Sequence, residues 1–252
     1  MACVVAGASF AAQGTEPVIP AEIAPCFNPP VEWSDQLGTY KSPRTFNDGH
    51  EVADAQDWQK RRTEILADWH TLMGAWPAVI EKPKMEVLES VPRENFTQKK
   101  IRIEIAPGQM TDGYLLVPQG KGPFPAVFVP YYDPETSVGK TEKPLRDFAY
   151  QLAKRGFVSL AIGAPGGDAR KPVLSKDAQC QPLSYLGYLS ANAWQALASL
   201  PEVDAKRIGI VGHSYGGKWA MFGACLWDKY ACGVWSDPGI VFDETRGSIN
   251  YQ

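Results

Sequence analysis

Gly209-Ile210-Val211-Gly212-His213-Ser214-Tyr215-Gly216-Gly217 reads as the end of a buried strand, a sharp turn that carries a serine, and the opening of a helix. Ile208, Ile210 and Val211 supply the short apolar run of a central parallel strand, and Lys206-Arg207 marks where the chain enters the sheet. Gly212, Ser214 and Gly216 then spell G-x-S-x-G. The spacing has a physical cause. A serine held at a strained turn brings strand and helix so close that the positions two before and two after it must be almost free of side chain. The helix points its N-terminus back at the serine, so the N–H of Tyr215 is placed to stabilise an oxyanion.

Working outward, the segments on either side have the order of an α/β domain. Strand-like runs at Lys84 to Ser90, Lys99 to Ala106 and Gly113 to Val117 are separated by turn residues at 92–95 and 107–108, which predicts antiparallel neighbours opening a mixed sheet. Phe124 to Pro130 is a continuous apolar run, Pro144 to Arg155 has helical spacing, and Phe157 to Ile162 is again a strand. This order predicts a parallel crossover. Gly163 to Pro182 reads as an irregular cleft wall. Its Gly166-Gly167-Asp168 lacks the spacing of a phosphate loop. Leu183 to Leu200 is helical, the serine strand follows, a helix runs from Tyr215 to about Asp228, and Cys232 to Ser236 forms one more strand.

The N-terminal third is different. Residues 1–12 are small and apolar with no Lys or Arg and are followed by Gln13-Gly14, so that residues 1–14 read as the remnant of a signal peptide, which predicts a secreted or periplasmic protein. Residues 15–82 read as an arm rich in Pro, Asn, Asp and Gly, followed by a helix capped by Asp54 that packs on the core through Trp58, Ile65, Leu66, Trp69, Leu72 and Met73. Residues 83–252 hold the α/β core.

Composition narrows the partners. A net charge of -3 with scattered Lys and Arg argues against a nucleic-acid surface, and no run is apolar enough to span a membrane. Eight Trp and ten Tyr suit either core packing or a sugar-binding cleft. Five cysteines without C-x-x-C or Cys/His zinc spacing support no metal and no cofactor. Cys225 with Cys232, and Cys26 with Cys180, are the candidate disulfide pairs; buried thiols are the alternative.

In an α/β sheet the reactive residues gather at the carboxyl ends of the strands. Ser214 is the candidate nucleophile. After Val129, Tyr131 or Tyr132 would give a second oxyanion N–H, with Tyr132 ranked first, and Asp237 at the end of the last strand could orient a histidine, bind a substrate hydroxyl or cap a helix. His213 adjoins the serine and projects the other way, which suits packing or hydrogen bonding beneath the turn. The other histidines are His50 and His70, and none follows Ser214, so the general base of a serine hydrolase is not readable from these residues. The expectation is an α/β-hydrolase fold that lacks its C-terminal strands, with an exposed edge beside the serine strand through which a homodimer could form.

The run from Tyr131-Tyr132 through Gly163-Ala164-Pro165-Gly166-Gly167-Asp168-Ala169-Arg170, Gly212 to Trp219 and Trp235 to Glu244 resembles bacterial secreted α/β hydrolases of the dienelactone-hydrolase and acetyl-xylan-esterase type. The resemblance implies that Ser214 is the nucleophile, that Tyr215 and Tyr132 form the oxyanion hole, and that strands beyond this sequence bring the histidine. Lys218, four residues after the serine, looks like the lysine of glucuronoyl esterases that contacts the sugar's hydroxyls, although those enzymes carry an arginine where this chain has Tyr215; the alternative is a lysine reaching an ion pair at the start of the helix. Asp237 sits where some of them carry their acid, and Tyr131 joins Lys218 as a substrate-binding candidate. The expected function is a serine carboxylic-ester hydrolase working through an acyl-enzyme on acetyl or uronoyl esters of carbohydrate. The alternative is a truncated or non-catalytic protein of the same fold that retains ligand binding. A dienelactone-type lactonase usually uses a cysteine where this chain has Ser214.

Overall fold

A computed structural model describes residues 2–4, 20–27, 31–33, 41–143, 145–167 and 171–239. The chain divides into two compact units, one of residues 1–7 and 70–252, the other of residues 8–69.

The larger unit is built on a mixed sheet of strands β1 (Ala2–Val4), β2 (Met85–Pro92), β3 (Phe96–Ala106), β4 (Gln109–Pro118), β5 (Phe124–Tyr131), β6 (Val158–Gly163), β7 (Val203–His213) and β8 (Cys232–Ser236), in the order β1-β8-β7-β5-β6-β4-β3-β2. β2, β3 and β4 form the antiparallel meander that the turn residues predict. The centre is parallel: β5 lies between β6 and β7, and β7 pairs with β8. From β5 the chain steps outward to β6, then crosses back past β5 to β7 and β8, so the strand order reverses between β5 and β7, the position at whose carboxyl ends α/β sheets bind their ligands. The outer edge of β8, expected to be open to a second copy, is paired antiparallel with β1, which falls inside the stretch expected as a leader.

Alternation along the strands separates two cores. Phe128, Leu160, Ile162 and Ile210 face one side of the sheet, where they pack with Leu186, Leu189 and Ala193 of α4 (Pro182–Ala198) and Trp219 and Ala220 of α5 (Tyr215–Leu226). Val127, Val129 and Ala161 face the other side, with Ala149 and Ala153 of α3 (Phe148–Lys154). A period-two pattern that is apolar on both faces requires helices on both faces. α3 starts later than the sequence spacing predicts, because Leu145 adopts φ 60 and is exposed. The intervening α2 (Pro134–Ser137) has only four residues and was not expected; Asp133 caps it through a 2.7 Å hydrogen bond from the Thr136 N–H. Cys180, Cys225 and Cys232 are thiols, so the expected 225–232 and 26–180 pairs are not disulfides.

In the smaller unit, Asp54 caps α1 (Ala55–Met73), accepting from the Asp57 N–H at 2.8 Å. The expected apolar stripe is only half right. Trp69 and, beyond the unit's end, Leu72 are exposed, and Met73 there is buried as expected; within the unit the buried position of the helix is Arg61, held by Asn47, Glu64 and the Pro43 carbonyl. An arginine can occupy that place because its charge and donors are satisfied there.

Candidate active site

Ser214 sits between β7 and α5 at φ 56, ψ -125, a conformation that glycine adopts readily and other residues adopt at a cost of about 1–3 kcal/mol. The surroundings hold it there. Its N–H donates to the Ser236 carbonyl at the end of β8 (2.9 Å), and its carbonyl accepts the Lys218 N–H as the first bond of α5 (3.0 Å). A Cβ on Gly212 would run into the carbonyl of Gly216, and one on Gly216 into the carbonyl of Pro130. The two glycines of G-x-S-x-G are thus explained by main-chain contact.

Although Ser214 stands at the N-cap position of α5, its side chain makes no capping bond. Its Oγ instead lies 3.1 Å from the hydroxyl of Tyr132, the residue directly after β5. Tyr132 meets two other rings at steep angles, Tyr131 at 5.0 Å and Tyr215 at 5.9 Å between centroids. Its main chain is fixed from both sides, since Asp133 caps α2 and Gly163 passes so close that a Cβ there would stand 3.0 Å from the Tyr132 carbonyl oxygen.

Lys218 is 2% exposed, and its Nζ lies 4.5 Å from the centre of the Tyr215 ring. It has no hydrogen-bond partner among the described residues. Burial holds its ammonium below the ordinary lysine range. On the other flank, burial pushes the Tyr131 phenol up, against the pull of the Arg146 guanidinium.

The structure therefore joins Ser214, Tyr132, Tyr215, Lys218 and Tyr131 into one cluster. Asp237 does not join it by a hydrogen bond to Ser214 among the described residues. It is exposed at φ 54 past the end of β8, and its carboxylate acts electrostatically on His213. His213 lies beneath the turn as expected, with Nδ1 3.4 Å from Ser236 Oγ and its ring against Phe148. Burial lowers its pKa, Arg146 lowers it further, and Asp237 and a Ser236 hydrogen bond oppose them. His70 packs edge-on against Trp76 at 5.0 Å. In the smaller unit His50 is stacked on Phe46 and bonded to Asp48. Asp168 to Arg170 of the expected cleft wall, and residues 240–244, lie outside the described residues. Sequence reasoning missed Arg146, which fell inside an expected helix, and the Tyr132 hydroxyl, because only the main chain of Tyr132 had a motif to mark it. No group of three or more His, Cys, Asp or Glu among the described residues could hold a metal, and no described helix is long and apolar enough to cross a membrane.

The family described as "Esterase FrsA-like" matches residues 85–232, from the first strand of the meander to the start of β8. Esterase EstD from Thermotoga maritima is 27% identical over 139 residues, 54% of this chain and 31% of that protein. The chain thus spans about a third of that curated relative. Among solved structures, a glucuronoyl esterase from Solibacter usitatus superposes with a TM-score of 0.60 at 20% identity, covering 77% of this chain and 62% of that one. A protein assigned as an acetyl xylan esterase from Bacteroides fragilis gives 0.55 at 18% identity, with 74% and 55% covered. At these identities the likeness is one of fold, a mixed sheet with a parallel centre flanked by helices, which is the α/β-hydrolase type.

Proposed function

This chain belongs to the FrsA-like esterase family, and from that premise we propose that it hydrolyses carboxylic esters through an acyl-enzyme on Ser214. The observation that carries the reading is the strained φ 56 backbone of Ser214 at the carboxyl end of the sheet, with its Oγ free of the helix cap. Strain of this kind persists only where the surrounding structure over-determines it, and here two glycines and a main-chain bond to Ser236 do so. In this reading the N–H groups of Tyr215 and Tyr132 receive the oxyanion, helped by the positive end of the α5 dipole. We assign the acid of the site to Asp237 on its place at the end of β8 and its electrostatic action on His213, since no hydrogen bond joins it to Ser214 among the described residues.

The substrate class we propose is a carbohydrate-linked ester, acetyl or uronoyl. Lys218 supports it: an ammonium buried without a partner is satisfied when a ligand brings hydroxyl or carbonyl oxygens to it, and Tyr131 offers a flat apolar wall beside the same cluster. The glucuronoyl and acetyl xylan esterases that share the fold point the same way. Export, inferred from the composition of residues 1–14, belongs to the same proposal and is tested by fractionating expressing cells.

Hydrolysis of p-nitrophenyl acetate by the wild type and by Ser214→Ala tests the reaction. Sustained turnover that vanishes in the variant supports it. A second reading, ligand binding without turnover, is favoured by the placement of the histidines, since His213 is engaged with Ser236 and His70 with Trp76. Equal background rates in wild type and variant would select it.

A further inference from the structure

We infer that Tyr132 is a catalytic residue through its side-chain hydroxyl, which donates a hydrogen bond to the reacting oxygens at Ser214. The inference rests on the reading of Ser214 as nucleophile and adds to it a donor different from the Tyr132 N–H. Its basis is the 3.1 Å contact between Tyr132 Oη and Ser214 Oγ.

At rest either oxygen can be the donor. Once Oγ is bonded to an acyl carbon it has no proton, so the contact survives only if the tyrosine donates. The carbonyl oxygen of a tetrahedral intermediate is attached to the carbon that Oγ attacks, and a hydroxyl 3.1 Å from Oγ turns its proton from one of these oxygens toward the other by rotation about the Cζ–Oη bond. No bond to Tyr132 forms or breaks, and its proton stays on the phenol. The contribution is electrostatic: a fixed dipole facing charge that develops during the reaction.

Preorganisation is visible in what surrounds the ring. Tyr131 and Tyr215 both pack against its ring, the Asp133 cap fixes the chain immediately after it, and close approach of Gly163 fixes its carbonyl. A tyrosine present only for packing would not require its hydroxyl at the serine. Phenylalanine would fill the same space against the two rings.

Tyr132→Phe is the test, with p-nitrophenyl acetate as substrate and a boronic acid as a tetrahedral analogue. The expected result is a fall in kcat of about a hundredfold with KM little changed, and a matching loss of boronic-acid affinity. Turnover within twofold of wild type, in a preparation where Ser214→Ala is inactive, overturns the role of the hydroxyl and leaves the nucleophile assignment standing. A wild type with no Ser214-dependent turnover overturns both. Should Tyr132→Phe fail to fold, 4-fluorophenylalanine at position 132 asks the same question, because it keeps the ring and a small polar substituent but has no proton to donate. Turnover of that variant within twofold of wild type overturns the inference.

Discussion

The ammonium of Lys218 lies 4.5 Å from the centre of the Tyr215 ring, one helical turn beyond Ser214, and meets no hydrogen-bond partner among the described residues. A cation–π contact contributes about 1–2 kcal/mol when desolvated, less than the several kcal/mol that removing an ammonium from water costs. Lys218→Met should therefore stabilise the fold by about 1–3 kcal/mol in urea unfolding. The same change should lower kcat/KM on acetylated or uronoyl sugar esters by about tenfold or more, while p-nitrophenyl acetate, which carries no sugar, is hydrolysed at nearly the wild-type rate. A destabilised Lys218→Met would show that the lysine has a structural partner.

His213 gives a pH dependence. Burial and Arg146 depress its pKa in the folded state, so between that value and the ordinary 6.5 the unfolded chain binds a proton that the folded chain does not. This group's destabilising effect is absent above 6.5, grows as pH falls through the window, and is complete below the depressed value. Thermal unfolding followed from pH 7.5 downward should show a decline in Tm that is smaller in His213→Asn. Parallel curves for the two proteins would rule the contribution out.

Backbone strain at Ser214 can be read from two inactive variants. Alanine keeps the Cβ that is unfavourable at φ 56, whereas glycine adopts that conformation freely. Ser214→Gly should be more stable than Ser214→Ala by about 1 kcal/mol, net of the extra disorder glycine gives the unfolded chain. The reverse order would mean that the turn is relaxed.

Gly212→Ala places a methyl against the Gly216 carbonyl, main chain that cannot rotate away. A loss of about 3 kcal/mol or more, or failure to accumulate as soluble protein, is expected. Gly108→Ala is a useful comparison, because that glycine has positive φ and nothing within 4 Å, so it carries only the backbone penalty of about 1 kcal/mol.

Much of this architecture was legible because each central strand is a short apolar run with clear boundaries. Cys232 to Ser236 was placed to the residue, and α4 begins and ends within two residues of its expected bounds. The turn at Ser214 was legible for another reason: two glycines at fixed distances from a serine encode a steric requirement, and a steric requirement is local. What escaped was tertiary. α2 is too short to show a period and exists because Asp133 caps it. The burial of Arg61, in place of the apolar stripe beside it, depends on partners 14 to 18 residues earlier. That the Tyr132 hydroxyl meets a serine 82 positions away follows from the register of β5 beside β7, which no local pattern states.

Gly216 has another consequence. With no side chain there, α5 rests directly on the Pro130 carbonyl, so the spacing between the serine and the tyrosine loop is a main-chain dimension, fixed before any lining residue is chosen. Rings and charges around the cleft can then be exchanged without moving the point of attack. With Ser214 as the proposed nucleophile, substrate preference and reactivity would then be set by separate groups of residues, the first on the cleft's side chains and the second on the main chain beneath them.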